Sequence, residues 1–264
     1  MQFEFFVPTR ILFGGGTVDE LSSHPLPGRR ALLVISGGRS AKASGAFDKV
    51  YAALNAAGSP PVVYDKVGAN PTLACVNEGA RIARENGCDF VTALGGGSVM
   101  DAAKAIALTA ANGENYWDFV SAGTGGGRAI TNAPLPLVAI TTTAGTGSEA
   151  DATAVVTNPA TGEKIGFVHP GMFPVLSVVD SSLTKGVPPA LTAYQGFDAL
   201  FHATECYVSN KANKMSDMLA LTSAGYVSKY LARAVKDGAD EEARDGMSFA
   251  NMLSGMVMTL SGCT

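Results

Sequence analysis

The sequence predicts a doubly wound α/β half followed by an all-helical half, and three observations carry that expectation. Continuous apolar runs such as Ala31-Leu32-Leu33-Val34-Ile35 and Phe90-Val91-Thr92-Ala93-Leu94 alternate with segments of helical spacing through the first two-thirds of the chain. Strands apolar on both faces, each followed by a helix long enough to cross over, make a parallel sheet covered on both sides. Beyond Gly186-Val187-Pro188-Pro189 the strand signals stop and helical periodicity takes over. The expected division is therefore 1–186 and 187–264.

Each element has its own reason. Phe3 to Val7 and Ile11 to Phe13 are short apolar runs separated by Pro8 and closed by Gly14-Gly15-Gly16, which reads as an edge hairpin. After the strand at 31–35, Phe47, Val50, Tyr51 and Leu54 recur at helical spacing and Gly58 stops them. Val62-Val63-Tyr64 is a second strand, and Asn70-Pro71-Thr72 opens a helix through Ala83, with Pro71 at the first helical position. The strand 90–94 runs through Gly95-Gly96-Gly97-Ser98 into an alanine-rich helix from Val99 to Ala111. Gly123 to Gly127 reads as an exposed flexible loop, 137–140 as a strand, the stretch around Asn158-Pro159-Ala160-Thr161-Gly162 as a hairpin turn, and 176–180 as the last strand. Three helices follow, over 191–209, 214–235 and from 241 to about 262.

The bulk numbers exclude several classes. With 19 basic and 23 acidic residues the net charge is -4, and no Lys/Arg run tracks a phosphate backbone, so nucleic acid is not an expected partner. The N-terminus lacks the pattern of a signal peptide and no apolar run is long enough for a bilayer, so no membrane is expected and a cytoplasmic location is. Cys75, Cys88, Cys206 and Cys263 form no CxxC pair, which reads as reduced thiols.

Four stretches carry chemistry. The turn at Gly95-Gly96-Gly97-Ser98, between a buried strand and a helix, lets a ligand approach the backbone, and the first N–H groups of the helix favour an anion such as a diphosphate. Ser98 and Asp101 also have capping-box spacing, whose plain role is to start the helix. Thr142, Thr143 and Thr146, within the polar segment ending at Glu149, follow another buried strand and could bind the rest of the same ligand at the carboxyl ends of the strands, or form only an irregular loop. Gly37, Gly38 and Ser40 surround Arg39 where a dinucleotide fold meets the adenosine ribose; with no acidic residue there, the stretch has room and charge for a 2′-phosphate, which favours NADP over NAD, or else it is a surface turn. Asp198 and His202 are four residues apart on an expected helix and share a face, so both could enter one cleft and hold a divalent metal. The alternative for that pair is a hydrogen-bonded helix histidine and a helix N-terminal charge. Glu205 lies near the same face, while His24 and His169 fall in loops.

Together these stretches resemble the iron-containing, metal-dependent alcohol dehydrogenases of the group III type. The resemblance rests on Ile11-Leu12-Phe13-Gly14-Gly15-Gly16, Asn70-Pro71-Thr72, Gly95-Gly96-Gly97-Ser98 with Asp101 and Lys104, Thr142 to Glu149, Val179-Asp180, and the run from Thr192 through Asp198 and His202 to Ser209, in that order. It implies a dehydroquinate synthase-like architecture, with an N-terminal dinucleotide-binding domain and a helical metal-binding domain facing each other across a cleft. It implies a cofactor, NADP or NAD, near Gly37, Gly38, Ser40, Asn70, Gly96, Gly97, Ser98, Asp101, Thr142, Thr143, Thr146 and Lys164, and a divalent metal, iron with zinc as the alternative, on Asp198 and His202. The implied reaction moves a hydride between NAD(P) and a primary alcohol or aldehyde, in an enzyme that forms a homo-oligomer, a dimer, at full length. The family draws two further histidine ligands from its helical domain, and no histidine follows His202, so the resemblance implies a chain cut inside that domain and doubtful turnover. The competing expectations are a catalytically silent nucleotide-binding fragment and a glycerol dehydrogenase-like enzyme of the same superfamily.

Overall fold

A computed structural model describes residues 2–263, so Met1 and Thr264, the outer ends of the expected division, lie outside the described residues. Its α/β half runs β1 (Arg10–Phe13), β2 (Ala31–Ser36), α1 (Ser40–Ala43), α2 (Ala46–Ala56), β3 (Val62–Val67), α3 (Leu73–Glu85), β4 (Phe90–Gly95), α4 (Gly97–Asn112), β5 (Leu137–Thr141), β6 (Thr153–Asn158), β7 (Glu163–Val168) and β8 (Leu176–Val179). The helical part follows as α5 (Pro189–Val208), α6 (Lys214–Lys236) and α7 (Glu241–Ser261). Six strands form one sheet in the order β1-β8-β5-β4-β2-β3, every neighbouring pair parallel. β6 and β7 form a separate antiparallel hairpin.

The sheet is covered on both faces, as continuous apolar strands require. Leu32 and Val34 of β2 and Val91 and Ala93 of β4 join one buried cluster with α3 and α4. Leu33, Ile35, Phe90 and Leu94, pointing the other way at period two, join a second with Val50 and Leu54 of α2. The chain leaves β2 outward to β3 and returns as β4 on the other side of β2. That reversal opens a crevice at the carboxyl ends of β2 and β4, the place where open α/β sheets bind ligands.

Several sequence expectations are corrected. The N-terminal hairpin is absent: β1 pairs in parallel with β8, far along the chain, and the described residues before Arg10 are not a strand. Val179 and its neighbours offer β1 a wholly buried partner, which a local pairing across Pro8 does not. Pro71 lies outside α3, because Thr72 is the N-cap and its hydroxyl accepts the Cys75 N–H. The Ser98–Asp101 capping box does not form either. Gly96 is the N-cap of α4 with no side-chain bond, Ser98 Oγ accepts from the Asn70 N–H, and Asp101 is engaged elsewhere. The Gly123 to Gly127 loop is pinned: its N–H groups at 125, 126 and 127 donate to Ala122, Trp117 and Val120 carbonyls, and Thr124 bonds Glu163. Among the described residues, no helix is long and apolar enough to cross a membrane.

Candidate dinucleotide and metal site

The crevice is built from two turns that press against each other. β4 ends at Gly95 and α4 starts at Gly97, so Gly96 turns the chain in extended conformation and the first N–H groups of α4 are left without helical partners. β5 ends alongside, and the Thr142 N–H donates to the Gly95 carbonyl at 3.0 Å. A Cβ on Gly96 would lie 2.8 Å from Thr143 Cγ2, and one on Gly97 would lie 2.5 Å from Thr146 Cγ2. Only glycine lets the helix start and the threonine turn approach this closely.

Asn70 closes one side. It sits at φ 55, a left-handed conformation that asparagine tolerates better than most residues. Its N–H donates to Ser98 Oγ at 3.2 Å, and its Oδ1 accepts from Lys164 Nζ of β7 at 2.8 Å. A hollow of about 320 Å³ follows, lined by Asn70, Gly97, Ser98, Asp101, Thr146 and Lys164 together with Asp198 and His202 of α5. A second, of about 670 Å³, is lined by Gly37, Gly38, Ser40, Gly96, Thr142 and Thr143 and shares Gly97, Ser98 and Thr146 with the first. The structure therefore brings all the named cofactor and metal candidates to one continuous crevice. Arg39 does not line it; Lys66, paired with Glu78 at 2.6 Å, does.

Asp198 Oδ1 and His202 Nε2 are 3.8 Å apart, as positions one helical turn apart allow. Carboxylate and imidazole are donor types that divalent transition metals take. The other ring nitrogen, His202 Nδ1, is buried without a hydrogen-bond partner among the described residues. Glu205 does not line this hollow. Among the described residues, no group of three His, Cys, Asp or Glu side chains forms a metal cluster. α7 contributes Met258 to this hollow. The pair thus fits a metal as two of its ligands and does not enclose one.

Beneath the crevice lies a polar network that ties Asp101, Lys104 and Ser148 to Asp151, a residue given no role from the sequence. Lys104, wholly buried on α4, donates from Nζ to Asp151 Oδ1 at 2.7 Å, Ser148 Oγ at 2.8 Å and the Thr153 carbonyl at 3.0 Å. Three donors meet three acceptors, which is what a buried ammonium needs. Ser148 Oγ in turn donates to Asp101 Oδ1 at 2.8 Å, and Asp101 Oδ2 accepts the Val155 N–H at 3.1 Å. Asp101 thus turns beneath the crevice toward β6. Burial pushes its carboxyl up to about 6, with Lys104 opposing the shift. Glu149, also buried, is pushed up to about 7 by desolvation. The signal available in the sequence was Ser148-Glu149-Ala150-Asp151, two carboxylates in an otherwise apolar and small-residue context.

Comparison with known proteins follows the same two-part division. The profile described as iron-containing alcohol dehydrogenase matches residues 8–181, and that described as Fe-containing alcohol dehydrogenase family, C-terminal, matches 192–264. Alcohol dehydrogenase 4 of Schizosaccharomyces pombe is 40% identical over 96% of this chain, which spans 58% of that protein's length. An NAD-dependent methanol dehydrogenase of Bacillus methanolicus is 34% identical over 98% of this chain, which spans 66% of it. The crystal structure of an archaeal halo-thermophilic Red Sea brine pool alcohol dehydrogenase superposes on all of this chain with a TM-score of 0.95 at 40% identity, and 67% of that structure is covered.

Proposed function

The chain belongs to the iron-containing alcohol dehydrogenase family, and from that premise we propose that its crevice binds a nicotinamide dinucleotide and serves hydride transfer between that cofactor and a primary alcohol or aldehyde. The observation that carries the reading is the crevice itself, which the Gly96–Ser98 and Thr142–Thr146 turns line together with the Asp198–His202 pair. On this reading residues 1–186 form the cofactor half and 187–264 the metal-bearing half.

Each residue then has a task. The free N–H groups at the start of α4 and the Ser98 hydroxyl hold the diphosphate, where partial positive charge is already in place. Gly37, Gly38 and Ser40 border the ribose end, and the absence of a carboxylate among them favours NADP over NAD. Thr142, Thr143 and Thr146 wall the middle of the cofactor. Asn70 and Lys164, hydrogen-bonded to each other, orient the nicotinamide end. Asp198 and His202 supply two of a divalent metal's ligands, and such a metal, when bound, provides a Lewis acid for the substrate oxygen. Iron is the family's metal and zinc the alternative that the same donors accept.

Reduced NAD and NADP, titrated separately against their own fluorescence, test the reading: saturable binding is expected with NADP the tighter, and no binding of either overturns it. A second reading, a nucleotide-binding protein without turnover, draws on the two-donor metal wall. Metal analysis of the purified chain beside an alcohol oxidation assay separates the two, since bound dinucleotide with neither retained metal nor turnover favours the second.

A further inference from the structure

Asn251 lies on α7, is 1% exposed, and lines neither hollow. Both ends of its amide are nevertheless engaged with the segment that does. Oδ1 accepts the Gly147 N–H at 2.7 Å, and Nδ2 donates to Glu149 Oε1 at 2.6 Å. One helical turn along, Gly255 presses backbone against backbone: a Cβ on Gly147 would lie 2.5 Å from Gly255 Cα, and a Cβ on Gly255 would overlap the Gly147 carbonyl oxygen. Gly147 is itself left-handed at φ 65. The segment from Thr146 to Glu149 is therefore clamped to α7.

The same segment shapes the crevice from its other side. Thr146 packs against Gly97, its Oγ1 accepts the Ser148 N–H at 3.3 Å, and Ser148 Oγ joins Asp101 to Lys104. A continuous path of contacts thus runs from α7, through three residues of one turn, to the diphosphate end of the crevice.

We propose that Asn251 is a positioning residue for dinucleotide binding: its amide holds the Thr146 to Glu149 turn in the shape that presents Thr146 and Ser148 to the crevice, so the helical half sets the cofactor affinity of the α/β half. The proposal rests on the reading that the crevice takes a nicotinamide dinucleotide. An amide is the group the site requires, because one partner is an N–H and the other a carboxyl. A leucine, branched at the same carbon but larger, leaves both buried groups without the amide partner. A carboxyl in its place faces Glu149, whose other charged neighbours are Lys104 of α4 and Asp151, while Ser177 of β8 bonds only the Glu149 backbone carbonyl. Two carboxyls in contact hold one shared proton at low pH and repel when both ionise.

The test uses the whole chain, with reduced NAD and NADP as the probes and the melting temperature recorded alongside. For Asn251→Leu, affinity for the better-bound probe falls roughly tenfold or more in protein that still melts cooperatively, the cost of two buried groups left unpaired. For Asn251→Asp, affinity relative to wild type at the same pH is within about threefold near pH 6 and falls roughly tenfold near pH 8.5, as the shared proton is lost. Folded variants with wild-type affinity at both pH values overturn the proposal, since a purely architectural role lowers the melting temperature and leaves binding by the folded protein unchanged. If Asn251→Leu does not fold, the pH contrast in Asn251→Asp decides alone, and a ratio to wild type that does not change with pH overturns the proposal. Wild type that binds neither probe defeats the reading of the crevice and this proposal together; wild type that binds beside unaffected variants defeats the proposal only.

Discussion

At the scale of single residues, the buried charges beneath the crevice make the sharpest predictions. In the folded chain burial pushes the Glu149 carboxyl up to about 7, whereas the unfolded chain releases the proton near 4.5, the ordinary value for a glutamate. The folded state binds more protons in that window, so stability is greatest below it and falls as pH rises through it. Glu149→Gln keeps an acceptor for Asn251 and removes the ionisation. Its melting temperature should then change less than that of wild type between about pH 4.5 and about pH 7; an unchanged slope would assign the dependence to another group. Lys104 has the opposite character, since its ammonium is matched by Asp151, Ser148 and the Thr153 carbonyl. Lys104→Met leaves Asp151 and Asp101 without their cation and should cost about 3–5 kcal/mol, read as a lowered denaturant midpoint.

At the scale of elements, close helix approach depends on glycine. Gly196 of α5 faces Leu231 of α6 so tightly that a Cβ would overlap the leucine methyl, and Gly246 of α7 takes the Tyr230 ring in the same way. Gly196→Ala should therefore destabilise the helical half by about 1–3 kcal/mol through overpacking, more than the helix propensity of alanine returns. A denaturant midpoint equal to that of wild type would show that α5 and α6 can separate without cost. α5 also carries Asp198 and His202, so the same shift would move the part of the crevice they line.

At the scale of the whole molecule, a ligand that fills the crevice stabilises the fold by mass action. A dinucleotide at a hundred times its dissociation constant adds about 2.7 kcal/mol, several degrees in melting temperature for a chain of this size. In Gly97→Ala, where the new Cβ would meet Thr146 at 2.5 Å, the same cofactor concentration should raise the melting temperature little or not at all. A full ligand-induced rise in that variant would remove the glycine turn from the binding site.

Much of the arrangement was legible in the residues. The continuous apolar runs of β2 and β4, the glycine stop after each of them, and the spacing of Asp198 and His202 are local patterns, and local patterns are what backbone geometry reads directly. The parallel pairing of β1 with β8 was not legible, because neither strand's own sequence names a partner more than 160 residues away. Nor did spacing reveal that Ser98 bonds Asn70 and that Asp101 turns toward β6. Capping-box spacing allows two outcomes, and tertiary partners chose between them. The sequence by itself determined the alternation of strands and helices that gives way to helices alone, and the glycine and threonine turns after β4 and β5, since these follow from periodicity and turn chemistry along the chain. Only the tertiary structure decided how Lys104, Asp151 and Asp101 satisfy one another and how Asn251 grips the Gly147 turn, because a buried polar group is matched by whatever the fold packs against it, and that neighbour is set by topology rather than by sequence distance.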